Sequence, residues 1–184
     1  IAAGEVVERP ASVAKELIDN ALDAGASIIR ISLQAGGIRL LEVEDDGFGM
    51  SAADAALSLE SHATSKLAAL DDLLRIETMG FRGEALASIS AVSRLTMVTR
   101  TGDSPSGAKI ILHGGQVVSK ERTGANKGTT VIVEDLFYNT PARRKFMKSD
   151  AREASAIIEL IQQYAVCYTD IRFMMINNGA TLFS

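Results

Sequence analysis

Ser12-Val-Ala-Lys-Glu-Leu-Ile-Asp-Asn-Ala-Leu-Asp-Ala24, followed by Ile28-Ile-Arg-Ile-Ser-Leu33 and Leu40-Leu-Glu-Val-Glu44, decides the architecture. In the first run Val13, Ala14, Leu17, Ile18, Ala21 and Leu22 recur at intervals of three and four residues, the period of an amphipathic helix. Pro10 suits its entry, where a missing N–H costs nothing, and Gly25 suits its stop. The next two runs are β-branched and partly alternating, and Gly36-Gly37 between them predicts a hairpin. Further along, composition predicts a helix over 84–92, strands over 95–101, 108–112, 116–120 and 129–134, an amphipathic helix over 152–168 and a last strand over 171–177. Residues 51–76 read as short helix and loop, with Ser61-His-Ala-Thr-Ser-Lys66 breaking the apolar period. Helices and strands are grouped, not strictly alternating. That predicts an α+β fold, a two-layer sandwich of helices on a mostly antiparallel mixed sheet, in preference to a doubly wound one.

With 184 residues, 47% of them hydrophobic, the chain can bury one sizeable core, so a single domain over 1–184 is expected. A net charge of -4 and a pI near 5.2 give no general field to attract nucleic acid. Any DNA contact must be local, and Arg143, Arg144, Lys145 and Lys148 form the one basic cluster; it reads equally as a solvated basic turn. Cys167 has no second cysteine to pair with, which suggests a reducing compartment. No run of 18 apolar residues and no basic-then-apolar leader occurs, so an intracellular protein with no membrane partner is expected: cytoplasm or nucleoid if bacterial, nucleus if eukaryotic. The first residue is not Met, and the ends fall in helix-like and strand-like sequence. Truncation from a longer chain is therefore expected.

Three stretches carry chemistry. On a helical wheel Glu16, Asn20 and Asp23 lie within about 60° of one another at the edge of the apolar face. This is an ordinary solvated face, or else a place where Asn20 gives its side-chain oxygen to a Mg²⁺ arriving with a nucleotide while Glu16 deprotonates a water for attack on the γ-phosphate. The second stretch is Asp45-Asp-Gly-Phe-Gly-Met50, closing a strand. It reads as a turn; it also offers an acceptor-only carboxylate for the exocyclic amine of adenine, with glycines that let backbone approach closely. The third is Gly80-Phe-Arg-Gly-Glu-Ala-Leu86, a glycine-bounded helix entry whose amides and Arg82 suit phosphate oxygens. Gly102 to Lys109 and Gly124 to Thr129 lack the Lys-Ser or Lys-Thr of a P-loop. His62 and His113 are isolated from other metal-ligating types, and no Gly-x-Ser-x-Gly elbow occurs.

Taken in order, Glu16-Leu-Ile-Asp-Asn20, Asp45-Asp-Gly-Phe-Gly49, Gly80-Phe-Arg-Gly83 and Gly128-Thr-Thr-Val131 resemble the four motifs of the ATPase superfamily shared by gyrase, the ninety-kilodalton heat-shock chaperone, histidine kinases and MutL. Within that group the chain resembles MutL mismatch-repair ATPases over essentially its whole length. Ile1-Ala-Ala-Gly-Glu-Val-Val-Glu-Arg-Pro10, Gly80 to Leu86 and Asp135-Leu-Phe-Tyr-Asn-Thr-Pro-Ala-Arg-Arg-Lys-Phe146 are the stretches specific to it. The resemblance implies a Bergerat-type fold, ATP and Mg²⁺ as ligands, Glu16 as general base, Asn20 as Mg²⁺ ligand and Asp45 as adenine reader. It implies nucleotide contacts from Ala24, Gly49, Met50 and Thr130. Lys66 and the segment Arg82, Gly83, Glu84, Ala85 and Leu86 would belong to a lid over about 61–83 and its hinge onto the phosphates. It further implies slow hydrolysis, ATP-driven dimerisation with a like or related subunit, a mismatch-recognition protein as partner, and weak DNA contact. A lysine that such proteins direct to the γ-phosphate from a neighbouring domain has no counterpart here, so feeble turnover is expected. The alternative is a scaffold in which ATP only switches dimerisation.

Overall fold

The fixed backbone of Pro10 starts the first helix in the computed structural model, which describes residues 7–60 and 84–184. The expected lid over 61–83, with Lys66, Arg82 and Gly83, lies outside the described residues, as does the stretch before Val7. Helix α1 (Pro10–Asp23) turns Val13, Ala14, Leu17, Ile18 and Ala21 inward, all at 3% exposure or less. Gly25 then turns the chain with φ +66. Strand β1 (Ile28–Gln34) buries Ile29, Ile31 and Leu33 on one face and sends Arg30 and Ser32 to the other, the period-two alternation of a half-covered strand. A single 3-10 turn (Ala35–Gly37), with Gly36 and Gly37 at positive φ, returns the chain into β2 (Leu40–Asp45). The two strands pair antiparallel, Ile29 opposite Asp45 and Gln34 opposite Leu40.

The remaining elements are α2 (Ala52–Ser58), α3 (Ala85–Ala91), β3 (Arg94–Arg100), β4 (Gly107–His113), β5 (Gln116–Thr123), β6 (Gly128–Glu134), α4 (Pro141–Lys145), α5 (Asp150–Cys167), β7 (Arg172–Asn177) and β8 (Ala180–Phe183). The strands form one eight-stranded sheet in the order β5-β4-β3-β6-β2-β1-β7-β8. Every neighbouring pair is antiparallel except β1 and β7, which run parallel. The expected α+β sandwich is the fold observed. Its core lies between the inward sheet residues Ile29, Ile31, Leu41, Val43, Met97, Val131, Val133 and Met175 and the helix residues Val13, Leu17, Ile18, Ile157 and Ile161. Each such aliphatic side chain contributes about 1.5–3 kcal/mol by leaving water. The other face carries polar pairs such as Arg30 to Glu44 at 3.1 Å, directly opposed across β1 and β2.

Element boundaries match the expected ones within two or three residues, with two omissions. The short helix α4 follows Pro141 and is too brief to show a period. Strand β8 is exposed through Ala180, Thr181 and Leu182 and therefore shows no alternation. Its turn does carry a readable signal, since Asn178 and Gly179 both take positive φ, at 49 and 82 degrees, as a tight Asn-Gly hairpin requires.

The entry to β6 is the tightest backbone passage. Gly128 has φ +117, and a Cβ there would stand 2.0 Å from the Asp45 carbonyl oxygen. Replacing Gly128 by Ala combines backbone strain with a clash against main chain, and is expected to lower stability by about 2–4 kcal/mol. Urea unfolding of the variant measures this; an unchanged midpoint would refute it.

Candidate functional site

Strand β2 ends at Asp45, between Ile29 of β1 and Thr129 of β6. The chain then crosses the C-terminal end of α1 through Asp46, Gly47, Phe48 and Gly49. Asp46 is structural: its Oδ1 accepts from the backbone N–H groups of Ser27 at 2.7 Å and Ile28 at 2.8 Å, tying the start of β1 to the end of β2. Asp45 faces a cavity instead. Its Oδ1 accepts from the Gly47 N–H at 2.9 Å. Burial pushes its pKa up to about 6; the amides of Gly47 and Thr129 hold it back, while the charges of Asp46 and Glu44 add to the rise.

Glycine is required in this crossing for lack of space. A Cβ on Gly47 would meet the Ala24 carbonyl oxygen at 2.6 Å and the Asp45 Oδ1 at 2.9 Å. Gly49 has φ +69, and its Cβ would come within 2.1 Å of the Arg100 carbonyl oxygen. The Phe48 N–H donates to the Ala24 carbonyl at 2.9 Å, so the turn is pinned to the end of α1. The Met50 N–H donates to Thr99 Oγ1 at 2.9 Å, and that buried hydroxyl also reaches the Gly128 carbonyl at 3.1 Å and Thr129 Oγ1 at 2.9 Å. Thr99 thus joins the turn to β3 and β6. Sequence reasoning did not single it out, and a threonine within a strand carries no signal that would have done so.

The cavity has a volume of about 320 Å³. Leu17, Val43, Met97 and Val131 form an apolar floor; Asn20 and Asp23 stand on the α1 side, Phe48, Gly49 and Met50 on the turn side, and Leu86 comes from α3. Asp45 is the carboxylate from the sheet. Asn20, Ala24, Asp45, Gly49, Met50 and Leu86, expected from separate stretches of sequence, therefore surround one space. A flat heterocycle carrying an N–H donor suits an apolar floor with a single anionic acceptor.

Other expected residues lie elsewhere. Glu16 is on α1 one turn before Asn20, buried to 5% exposure, and does not line the cavity. Thr130 lines only a second cavity of about 360 Å³, with Arg30, Glu44 and Lys127, whereas its neighbour Thr129, like Asp45, lines both. Thr130 pairs with Glu44 across β2 and β6, which puts it on the Glu44 side of the sheet. Ala85 is buried in the first turn of α3, and Glu84 precedes it on the surface. In the basic cluster, Arg143 Nη1 donates to the Val7 carbonyl at 3.1 Å and Arg144 Nη1 to the Leu136 carbonyl at 3.4 Å. Both guanidiniums thus hold the chain's own backbone, while Lys145 and Lys148 are exposed. Among the described residues no group of three or more His, Cys, Asp and Glu could hold a metal ion, and no helix is long and apolar enough to cross a membrane.

The family model of histidine kinase-, DNA gyrase B- and HSP90-like ATPases matches residues 8–134. The chain is 51% identical over 183 residues to the DNA mismatch repair protein MutL of Geotalea daltonii and 50% identical to that of Geobacter sulfurreducens, covering all of this chain. It spans 31% and 30% of those two relatives, about a third of their length. The solved Aquifex aeolicus MutL ATPase domain complexed with ADP superimposes with a TM-score of 0.77 at 31% identity, over 97% of this chain and 63% of that one. The N-terminal domain of a DNA repair protein superimposes with a TM-score of 0.81 at 32% identity, over 98% of this chain and 53% of that one. With a cavity assembled from the motif residues and similarity running end to end, the chain belongs to the histidine kinase-, DNA gyrase B- and HSP90-like ATPase family, as an ATPase domain of the MutL type.

Proposed function

We propose that this domain binds Mg-ATP in the cavity beside Asp45 and hydrolyses it slowly, as the ATPase part of a DNA mismatch-repair protein. The observation that carries the reading is the convergence of Asn20, Asp45, Gly49, Met50 and Leu86 on one cavity of about 320 Å³. It is supported by the likeness to a MutL ATPase domain that binds ADP. Ionised Asp45 accepts a hydrogen bond from the adenine amine, and the close-packed Gly47 to Gly49 turn lets the ring sit against backbone. Thr129, Phe48 and Met50 flank the ring; Ala24 closes the α1 side. Asn20, exposed at the rim, holds Mg²⁺ by its side-chain oxygen; the ion supplies charge neutralisation to the phosphates. Glu16, one turn back on the same helix, takes the proton of the attacking water. Lys66, Arg82, Gly83, Glu84 and Ala85, with Leu86, belong to the proposed lid over 61–83 and its hinge onto the phosphates. Lid closure then leads to dimerisation, and through it to the mismatch-recognition protein. Arg143, Arg144, Lys145 and Lys148 are the cations proposed for weak DNA contact, although one N–H each of Arg143 and Arg144 goes to a carbonyl. The bacterial relatives point to the cytoplasm. In the second reading ATP switches dimerisation and hydrolysis by this domain is incidental.

Four outcomes test this. Calorimetric titration should find Mg-ATP binding and Mg-GTP weaker by about 100-fold or more, because guanine puts an oxygen where Asp45 needs a donor; equal affinities would remove Asp45 as the base reader. Affinity for ATP should hold above pH 6 and fall about tenfold per unit below it, since protonation of Asp45, with its pKa near 6, removes the anionic acceptor. Stability responds in the opposite sense. A carboxyl whose pKa is raised on folding stabilises the fold fully below its ordinary value of 3.8, and that contribution is lost as the pH rises through about 6. Asp45→Asn should therefore melt higher than the unaltered protein at pH 8 while losing ATP, and a lower melting point would contradict the burial argument. Finally, Glu16→Ala should keep ATP binding within about threefold and lose turnover in the full-length protein; preserved turnover would remove Glu16 as the base.

A further inference from the structure

Five buried aliphatic residues hold α1 on the sheet. Such contacts are non-directional, so they resist lifting the helix much more than rolling it about its axis. Rolling matters because α1 carries Glu16 and Asn20. At about 5–6 Å from the helix axis, a roll of about 10° displaces a functional atom by about 1 Å, enough to cost about 100-fold in a reaction that depends on geometry.

A directional side-chain contact from α5 opposes that roll. Tyr164 on α5 donates its hydroxyl hydrogen to Asp19 Oδ1, across 145 residues of sequence. Asp19 Oδ2 accepts from Lys15 Nζ at 2.6 Å, which orients the carboxylate but lies within α1 and cannot resist its rotation. Tyr164 is itself held: its ring stacks on Tyr168 with centroids 6.0 Å apart and tilts against Phe173 of β7 at 6.5 Å. The brace thus runs from a sheet strand through Tyr164 to Asp19. At 100° per residue Asp19 sits about 60° to one side of Glu16 and Asn20 about 40° to the other, so the brace grips the helix immediately beside the proposed catalytic strip.

We propose that the Tyr164–Asp19 hydrogen bond is a positioning device that fixes the roll of α1, and that it governs turnover of bound ATP more than affinity for it. The inference rests on the Mg-ATP reading of the cavity. Affinity depends less on the roll because the base reader, Asp45, belongs to β2 and three of the four floor residues, Val43, Met97 and Val131, belong to the sheet, α1 adding Leu17 to the floor and Asn20 and Asp23 at the side. Hydrolysis is exposed because both the base and the ion ligand ride on α1. Tyr164 and Asp19 do not line the cavity, so they are proposed as positioning residues and not catalytic ones.

The experiment compares the full-length protein with its Tyr164→Phe, Asp19→Ala and double variants, measuring the Kd for Mg-ATP by calorimetry and kcat by phosphate release. Tyr164→Phe keeps the ring and its stacking; Asp19 is only half-buried, so Asp19→Ala provides a second route if the first variant misfolds. The expected result is a fall in kcat of about 10- to 100-fold in each single variant, with Kd changed less than threefold and no further loss in the double, since both remove one interaction. A melting temperature lowered with kcat intact would show a merely structural contact and overturn the proposal, as would losses that multiply in the double variant. No Mg-ATP binding by the unaltered protein would sink the nucleotide reading itself, a result distinct from any of these.

Discussion

A carboxylate half-buried at the end of a central strand is the constraint around which this domain is arranged. Leaving Asp45 ionised in partial isolation from water is unfavourable, as its pKa near 6 reflects, and only nearby amides and an open cavity make it tolerable. Those amides come from Gly47 and Thr129, so main chain must approach the carboxylate from both the turn and β6. Such approach leaves no room for side chains at 47, 49 or 128, where a Cβ would fall 2.0 to 2.6 Å from a carbonyl oxygen. The cavity's shape follows from three backbone segments meeting, and its lining residues take their places from that meeting.

Two adjacent aspartates divide the work that one could not do. Asp46 is consumed by two backbone amides and holds the sheet together at this corner. Asp45, one residue earlier, points to the cavity and keeps acceptor capacity for a ligand. Its ionised form weakens the fold and, in the proposed reading, strengthens ligand recognition, a local conflict of the kind expected where function overrides stability. A similar division runs along α1, where the apolar stripe secures the helix, Glu16 and Asn20 carry the proposed chemistry, and Asp19 takes a tyrosine from across the helix layer.

Much of this was readable from the chain. The long periodic runs identified α1 and α5, the glycine pair identified the β1–β2 hairpin, and the motif residues Asn20, Asp45, Gly49 and Met50 do share a cavity. The misses have physical causes. Strand β8 is exposed on both faces and has no period, although Asn178-Gly179 marked its turn. Thr99 was invisible because its three partners lie 29 or more residues away or in a turn whose path was unknown.

By itself, the sequence determined what depends on neighbours within a few residues: the helical period of α1, the alternation of β1 and β2, the turn chemistry of the glycines, and the presence of a carboxylate free to face a ligand. Only the tertiary structure decided the strand order, the parallel pairing of β1 with β7, the side of the sheet to which each threonine turns, and the reach of Tyr164 to Asp19. Those features depend on pairing and packing between segments as many as 145 residues apart, where side-chain type is the same for many possible partners and only the closed sheet selects one.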